Sequence, residues 1–279
     1  MKSALAVSLA FAASLSCAAD VQPVKDAGPY VPSPQSVVAD MLRYADVGPS
    51  DFLIDLGSGD GRIVLTAAKV FGARGFGVEI KDELVTRSNA AAKNEGLADR
   101  VKFLKQDLFK TDIAQATVIT MYLLPDTVNL LKDKFLTELR PGTRIVSHDY
   151  PLTGWKPVKY EQFDLEEKVN ISGVTTTLIY VYMVPAKVAG TWKASFPASL
   201  GAGPASMVLT QNITRVSGSV FINKKELPIE YVDIVGEQIK FKLKGRKGEF
   251  SGKVKGKTIE GVLDTGGGSK TPWSATLGG

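Results

Sequence analysis

Phe52-Leu53-Ile54-Asp55-Leu56-Gly57-Ser58-Gly59-Asp60-Gly61-Arg62 is the stretch on which the fold of this 279-residue chain turns. A short apolar run that stops at alternating glycines reads as a buried strand entering a tight turn. Helical spacing resumes at once over Arg62–Phe71, so the glycines join a strand to a helix. Glycine lets the backbone bend sharply and come close to a ligand, and the free N–H groups of the next helix favour an anion or a polar group there. A dinucleotide site would carry G-x-G-x-x-G. Here the third glycine comes one position early, and Asp55 stands two residues before the first. A carboxylate there is badly placed for a pyrophosphate and suits a ligand with an ammonium or hydroxyl group, such as the methionine end of S-adenosylmethionine. A nicotinamide-dependent oxidoreductase is disfavoured by that spacing. The bland alternative is a glycine-rich strand–helix turn with no ligand.

Outward from this turn the same alternation repeats. Upstream, Gly28-Pro29-Tyr30-Val31-Pro32-Ser33-Pro34 is a stiff extended approach, and Val37, Val38, Met41 and Leu42 place a helix over 35–46. Downstream, strands are expected at 75–80, 101–104, 117–124 and 144–147, with helices over 81–95 and 125–139 between them. Runs at 159–169 and 175–184 read as a closing hairpin. The class is therefore α/β, with a doubly wound, mostly parallel sheet of seven strands. Ligands of such sheets bind at the carboxyl ends of the strands. Glu79 ends the second strand and Asp107 follows the third, with Leu108 beside it. Glu79 would accept from ribose hydroxyls and Asp107 from an adenine amino group. Their bland alternatives are a solvated first-turn acid and an N-cap.

After Val184-Pro185 the helical period disappears. Ile239-Lys240-Phe241-Lys242-Leu243-Lys244 alternates apolar and basic residues, as a half-buried strand does. Seven or eight such strands in some 90 residues make a small antiparallel barrel or sandwich. Trp192 and Trp273, near its two ends, are expected in its core, meeting where the sheet closes. The chain carries a formal charge of +5. From Ala186 onward 14 Lys and Arg face 7 Asp and Glu, a surplus of +7 that leaves −2 for the remainder. We read this surplus as a solvated lysine face rather than a nucleic-acid site.

The N-terminus reads differently again. Lys2, the apolar run Ala4–Leu15 and Ser16-Cys17-Ala18-Ala19 form the pattern of a secretory signal peptide, too short for a spanning helix. Cleavage is expected after Ala18 or Ala19. Ser14 stands where a lipobox carries Leu, which disfavours lipidation at Cys17. The expected organisation is a signal peptide at 1–19, an α/β domain at 20–185 and an antiparallel β domain at 186–279. The protein would then be periplasmic or secreted, with membrane contact through the N-terminal segment or an anchor left uncleaved. With one cysteine and one histidine, a structural metal cluster or a cysteine–histidine nucleophile pair is not expected.

Residues 28–157 resemble the lysine methyltransferases related to the ATP synthase c-subunit lysine methyltransferase, within the class I, Rossmann-like methyltransferases. The resemblance rests on Pro29-Tyr30-Val31-Pro32-Ser33, Asp55–Ile63, Gly77-Val78-Glu79-Ile80, Tyr122-Leu123-Leu124-Pro125 and Arg144-Ile145-Val146-Ser147-His148-Asp149. It implies S-adenosylmethionine as cofactor and a protein lysine as acceptor. The cofactor-binding set is then Tyr30, Ser33, Asp55, Gly57, Ser58, Gly59, Gly61, Glu79, Asp107 and Leu108, with Tyr30 and Ser33 capping the ligand. Tyr122, at the end of the fourth strand, would orient the amine. His148 and Asp149 are candidates to accept a proton or position the acceptor, although a lone histidine is ordinarily a satisfied structural residue. The competing class is an exported binding protein, in which a non-catalytic domain of this fold serves the β module.

Overall fold

β1 (Phe52–Leu56) is buried on both faces, and its side chains alternate between two cores. Leu53 enters the layer under α1 (Gln35–Tyr44), α2 (Arg62–Phe71) and α3 (Asp82–Asn94). Ile54 and Leu56 enter the layer under α4 (Pro125–Leu130) and α5 (Lys132–Glu138). This period of two is why a continuous apolar run is needed for a strand covered on both sides. The computed structural model describes residues 30–278, so the expected signal peptide lies outside the described residues.

β1 pairs in parallel with β2 (Arg74–Glu79) on one side and β4 (Val118–Met121) on the other. β3 (Val101–Lys105) extends the sheet beyond β2, and β5 (Arg144–His148) extends it beyond β4. β7 (Thr176–Met183) runs antiparallel to both β5 and the edge strand β6 (Lys159–Asp164). The order is β3-β2-β1-β4-β5-β7-β6. It reverses between β1 and β4, which opens a crevice at their carboxyl ends.

Several expected boundaries shift. The helix expected over 35–46 ends at Tyr44. The fourth strand stops at Met121, so Tyr122 lies one residue past it rather than within it. The helix expected over 125–139 breaks at Leu131, where Asn129 bonds the Pro125 carbonyl and accepts the Thr153 N–H. The connection between β6 and β7 is no simple hairpin. It folds a 3-10 turn (Glu166–Lys168) and α6 (Val169–Ser172).

The remaining strands form a closed eight-stranded antiparallel barrel, which decides between barrel and sandwich. They are β8 (Gly190–Ser195), β9 (Ala205–Asn212), β10 (Arg215–Ile222), β11 (Lys225–Val235), β12 (Gln238–Leu243), β13 (Glu249–Lys255), β14 (Thr258–Asp264) and β15 (Lys270–Leu277). β15 pairs with β8 to close it. Ile239, Phe241 and Leu243 fill the interior while Lys240 and Lys242 face outward. Trp192 and Trp273 are both core residues, on the two strands that close the barrel. Their contacts differ, however. Trp273 lies against Phe196, Phe241 and Phe250, and the Trp192 indole donates to the Val188 carbonyl. The buried residues of the barrel core all come from Ala186 onward, and those of the two sheet cores end at Val184. Among the described residues no helix is long and apolar enough to cross a membrane.

Candidate functional site

A cavity of about 390 Å³ occupies the crevice at the switch point, within the size range of small-molecule sites. Ten residues are expected to bind a cofactor: Tyr30, Ser33, Asp55, Gly57, Ser58, Gly59, Gly61, Glu79, Asp107 and Leu108. All but Gly61 line its wall, as does Tyr122. Gly61 instead caps α2 in the left-handed region, packed between Phe103 and Ser88.

The glycine turn is shaped for close approach. Gly59 has φ +54°, and a Cβ there would sit 2.6 Å from the Tyr30 ring. Gly57 has φ +78°, and a Cβ would sit 2.7 Å from Leu123. Both positions therefore need glycine for backbone and for space. The turn is pinned from the second strand: Glu79 Oε2 accepts the Gly59 N–H at 3.1 Å. Its Oε1 accepts from Ile80 and Lys81 at 2.8 and 3.0 Å. Glu79 is thus more than a surface acid, and a carboxylate has lone pairs left for a ligand hydroxyl.

Asp55 is 1% exposed. Its Oδ1 accepts the Thr120 hydroxyl at 2.7 Å, and its Oδ2 is buried without a partner. Burial pushes this carboxyl up to about 7, against the Thr120 hydrogen bond; the Glu79 and Asp60 charges add to the rise. A buried acceptor with no donor is costly. It asks for a ligand that brings one, and a cationic donor would also restore the charge. The amino group of S-adenosylmethionine fits this demand, as does its positive sulfonium in a cavity bordered by Asp55, Asp60 and Glu79.

Sequence reasoning missed the strap over the glycine turn. Asp60 and Arg62 form a two-point ion pair, with Nη2–Oδ2 at 2.6 Å and Nε–Oδ1 at 2.9 Å. Arg62 Nη1 also donates to the Ser33 carbonyl at 2.8 Å. Burial alone would raise Asp60, but the Arg62 guanidinium holds it below the usual carboxylate range. The Ser33 bond ties the approach segment to this pair, and the Tyr30 ring packs over Gly59 on the cavity wall. Asp107 Oδ1 accepts the Phe109 N–H at 2.9 Å within a turn that no helix follows, so it is not the N-cap named as the alternative, and the residue lines the cavity.

His148 and Asp149 lie behind the cavity wall, and their placement differs from a direct proton-accepting role. His148 is fully buried at the end of β5. Its Nδ1 meets the Ser33 hydroxyl at 2.8 Å, so the side chain of this cavity-lining serine holds the histidine. Tyr122 covers the imidazole, with ring centroids 4.0 Å apart. Burial lowers His148 to about 4; Asp149 opposes this and Lys168 assists it. The ring is therefore neutral at physiological pH, and its Nε2 makes no hydrogen bond, lying 3.5 Å from Asp149 Oδ1. The Tyr122 hydroxyl is raised above its ordinary value by burial and by the Asp149 charge. Lys168 Nζ reaches Asp149 Oδ1 at 2.6 Å. Nothing in the sequence around Lys168 singled it out among 34 Lys and Arg. Among the described residues no group of His, Cys, Asp and Glu could hold a metal.

Residues 55–159 match the family model described as the ANTKMT methyltransferase domain. The chain is 43% identical over 147 residues to a protein-lysine N-methyltransferase of Saccharolobus islandicus, a match over 51% of this chain and 91% of that protein. It is 32% identical over 129 residues to the ATP synthase c-subunit lysine N-methyltransferase of Xenopus laevis, over 46% of this chain and 56% of that one. It therefore spans about half the length of that animal relative. Among solved structures, an RNA methyltransferase of Salinibacter ruber in complex with S-adenosyl-L-homocysteine is 44% identical with a TM-score of 0.51. That likeness covers 57% of this chain and 96% of the other. Nothing in these relatives favours the alternative of an exported binding protein built on a non-catalytic domain.

Proposed function

We propose, for a chain that belongs to the family of the ATP synthase c-subunit lysine methyltransferases and is an S-adenosylmethionine-dependent methyltransferase, that its methyl acceptor is a lysine amine of another protein. The observation that carries this reading is the 43% identity with the archaeal protein-lysine N-methyltransferase across 91% of that protein. The site is consistent with it. The cofactor supplies a methyl group already activated on a sulfonium centre. Asp55 and Glu79 would hold its amino and hydroxyl donors, beside the approach segment that Arg62 ties to the glycine turn. What remains for the chain is to align the nucleophile and to exclude water. Free lysine loses its proton at about 10.4, and a desolvated position beside Tyr122 lowers that value.

A second reading, RNA as acceptor, is favoured by the Salinibacter likeness. Incubating the purified protein with methyl-labelled cofactor and cell extract separates the two. Label recovered as methyl-lysine after acid hydrolysis supports the lysine reading. Label removed by ribonuclease, with none in lysine, overturns it. We also place the mature protein outside the cytosol, from Lys2 and the apolar run Ala4–Leu15. Its N-terminal sequence, begun at Ala19 or Asp20, tests that placement; an intact Met1 on the purified protein refutes cleavage.

A further inference from the structure

Lys168 ends the 3-10 turn between β6 and β7 and is 1% exposed. Lysine is almost never buried this far unless it is paired. Its Nζ donates to Asp149 Oδ1 at 2.6 Å and to the Thr176 carbonyl. Asp149 is held just as firmly. It adopts φ +62°, a region few residues other than glycine enter. Its N–H donates to the Leu178 carbonyl at 2.7 Å, and its Oδ1 accepts the Leu178 N–H at 3.1 Å. The carboxylate so fixed stands 3.5 Å from His148 Nε2, and the imidazole carries the Tyr122 ring, which is on the cavity wall. The matched family domain ends at residue 159, so it does not account for Lys168.

We propose that Lys168 is a positioning residue for methyl transfer, fixing the Asp149 carboxylate beside His148 and so the imidazole on which the Tyr122 ring rests, so that the tyrosine faces the incoming amine. The inference rests on the lysine-acceptor reading. The Tyr122 oxygen can then accept an N–H of a neutral amine, and the nitrogen lone pair is free to face the methyl group. The other titratable groups around Asp149 are His148 from β5, Tyr122 after β4, Tyr150 next in the chain and Tyr180 from β7.

The test uses the full chain with Lys168→Met and Lys168→Arg. S-adenosylhomocysteine affinity, measured by calorimetry, should stay within about twofold, because Lys168 does not touch the cavity. For Lys168→Met, kcat for lysine methylation should fall roughly ten- to a hundredfold, as for a misplaced orienting group. Lys168→Arg should recover part of the rate. His148 is the single histidine, so its imidazole resonances report alone. In the parent they should titrate near the value of about 4 set by burial, and in Lys168→Met they should move up as the repelling ammonium disappears. Unchanged kcat overturns the proposal. If Lys168→Met does not fold, Lys168→Met/Asp149→Asn leaves no unpaired buried charge. Parental turnover in that double variant overturns the proposal, and a fold retained without turnover supports it. If the parent methylates no lysine, the acceptor reading fails separately. The His148 titration still decides whether Lys168 acts on this cluster, with a shift supporting it and no shift overturning it.

Discussion

Asp55 makes cofactor affinity a function of pH, and the structure sets both sign and window. Its carboxyl is pushed up to about 7 because it is buried with one oxygen unpartnered. Protonated Asp55 cannot serve an ammonium group as a charged acceptor, so affinity should fall as pH drops through 7. The charged fraction is about one half at pH 7 and about one tenth at pH 6, which predicts roughly a fivefold loss over that step. Each further unit should cost about tenfold, or ~1.4 kcal/mol. An α-amino group stays protonated throughout this range, its own value being about 7.7–8.0. Calorimetry of S-adenosylhomocysteine at pH 5.5, 6, 6.5 and 7 reads the slope. Asp55→Asn cannot titrate and should bind weakly with the slope gone. The same carboxyl has a stability signature. Its folded value lies above the unfolded 3.8, so the folded state holds the proton more tightly. Unliganded stability should therefore decline between about pH 4 and pH 7, and the decline should be smaller in Asp55→Asn. Equal affinity at pH 6 and pH 7, or an undiminished slope in Asp55→Asn, would refute the assignment of Asp55 to the amino end of the cofactor.

Glu79→Ala removes three backbone hydrogen bonds and the acceptor at the second strand end. Cofactor affinity should fall about tenfold or more, for a charge-assisted bond of roughly 1.5–3 kcal/mol, and calorimetry giving an unchanged dissociation constant contradicts this. Tyr122→Ala should lower kcat more than Tyr122→Phe, because it also uncovers His148. Both should leave cofactor affinity within about threefold, and stopped assays with labelled cofactor distinguish the two. Separation near Pro185 should leave a soluble barrel with strand-type circular dichroism and a cofactor-binding half, since their buried residues belong to different cores. Two insoluble halves would place the boundary elsewhere.

The strand–turn–helix unit around Gly57 was legible because everything that defines it is local. An apolar run, three glycines and an acid at fixed spacing place a loop at a strand end, and alternation along the chain then orders the sheet. The barrel was legible from period-two runs such as Ile239–Lys244, though closure was not. Closure depends on β15 meeting β8, some 80 positions earlier, and no local signal sets that register. The break at Leu131 was hidden for a similar reason. Leu130 and Leu131 continue an apolar pattern, and only the Asn129–Thr153 contact shows why the helix stops.

Periodicity, glycine spacing and the acids at three strand ends carry the α/β class, the cavity's location and the cofactor, since backbone conformation and strand-end position follow from neighbours in the chain. The roles of His148, Asp149, Ser33 and Lys168 come from the folded molecule alone. The Ser33 hydroxyl meets a ring 115 positions away, and Lys168 reaches back 19 to its aspartate. Which groups are stripped of water, and which charges then face one another, is a property of the assembled interior. The same histidine written in a chain could be exposed and protonated near 6.5 or sealed and neutral down to about 4. Only burial under Tyr122 and against Ser33 chooses the second.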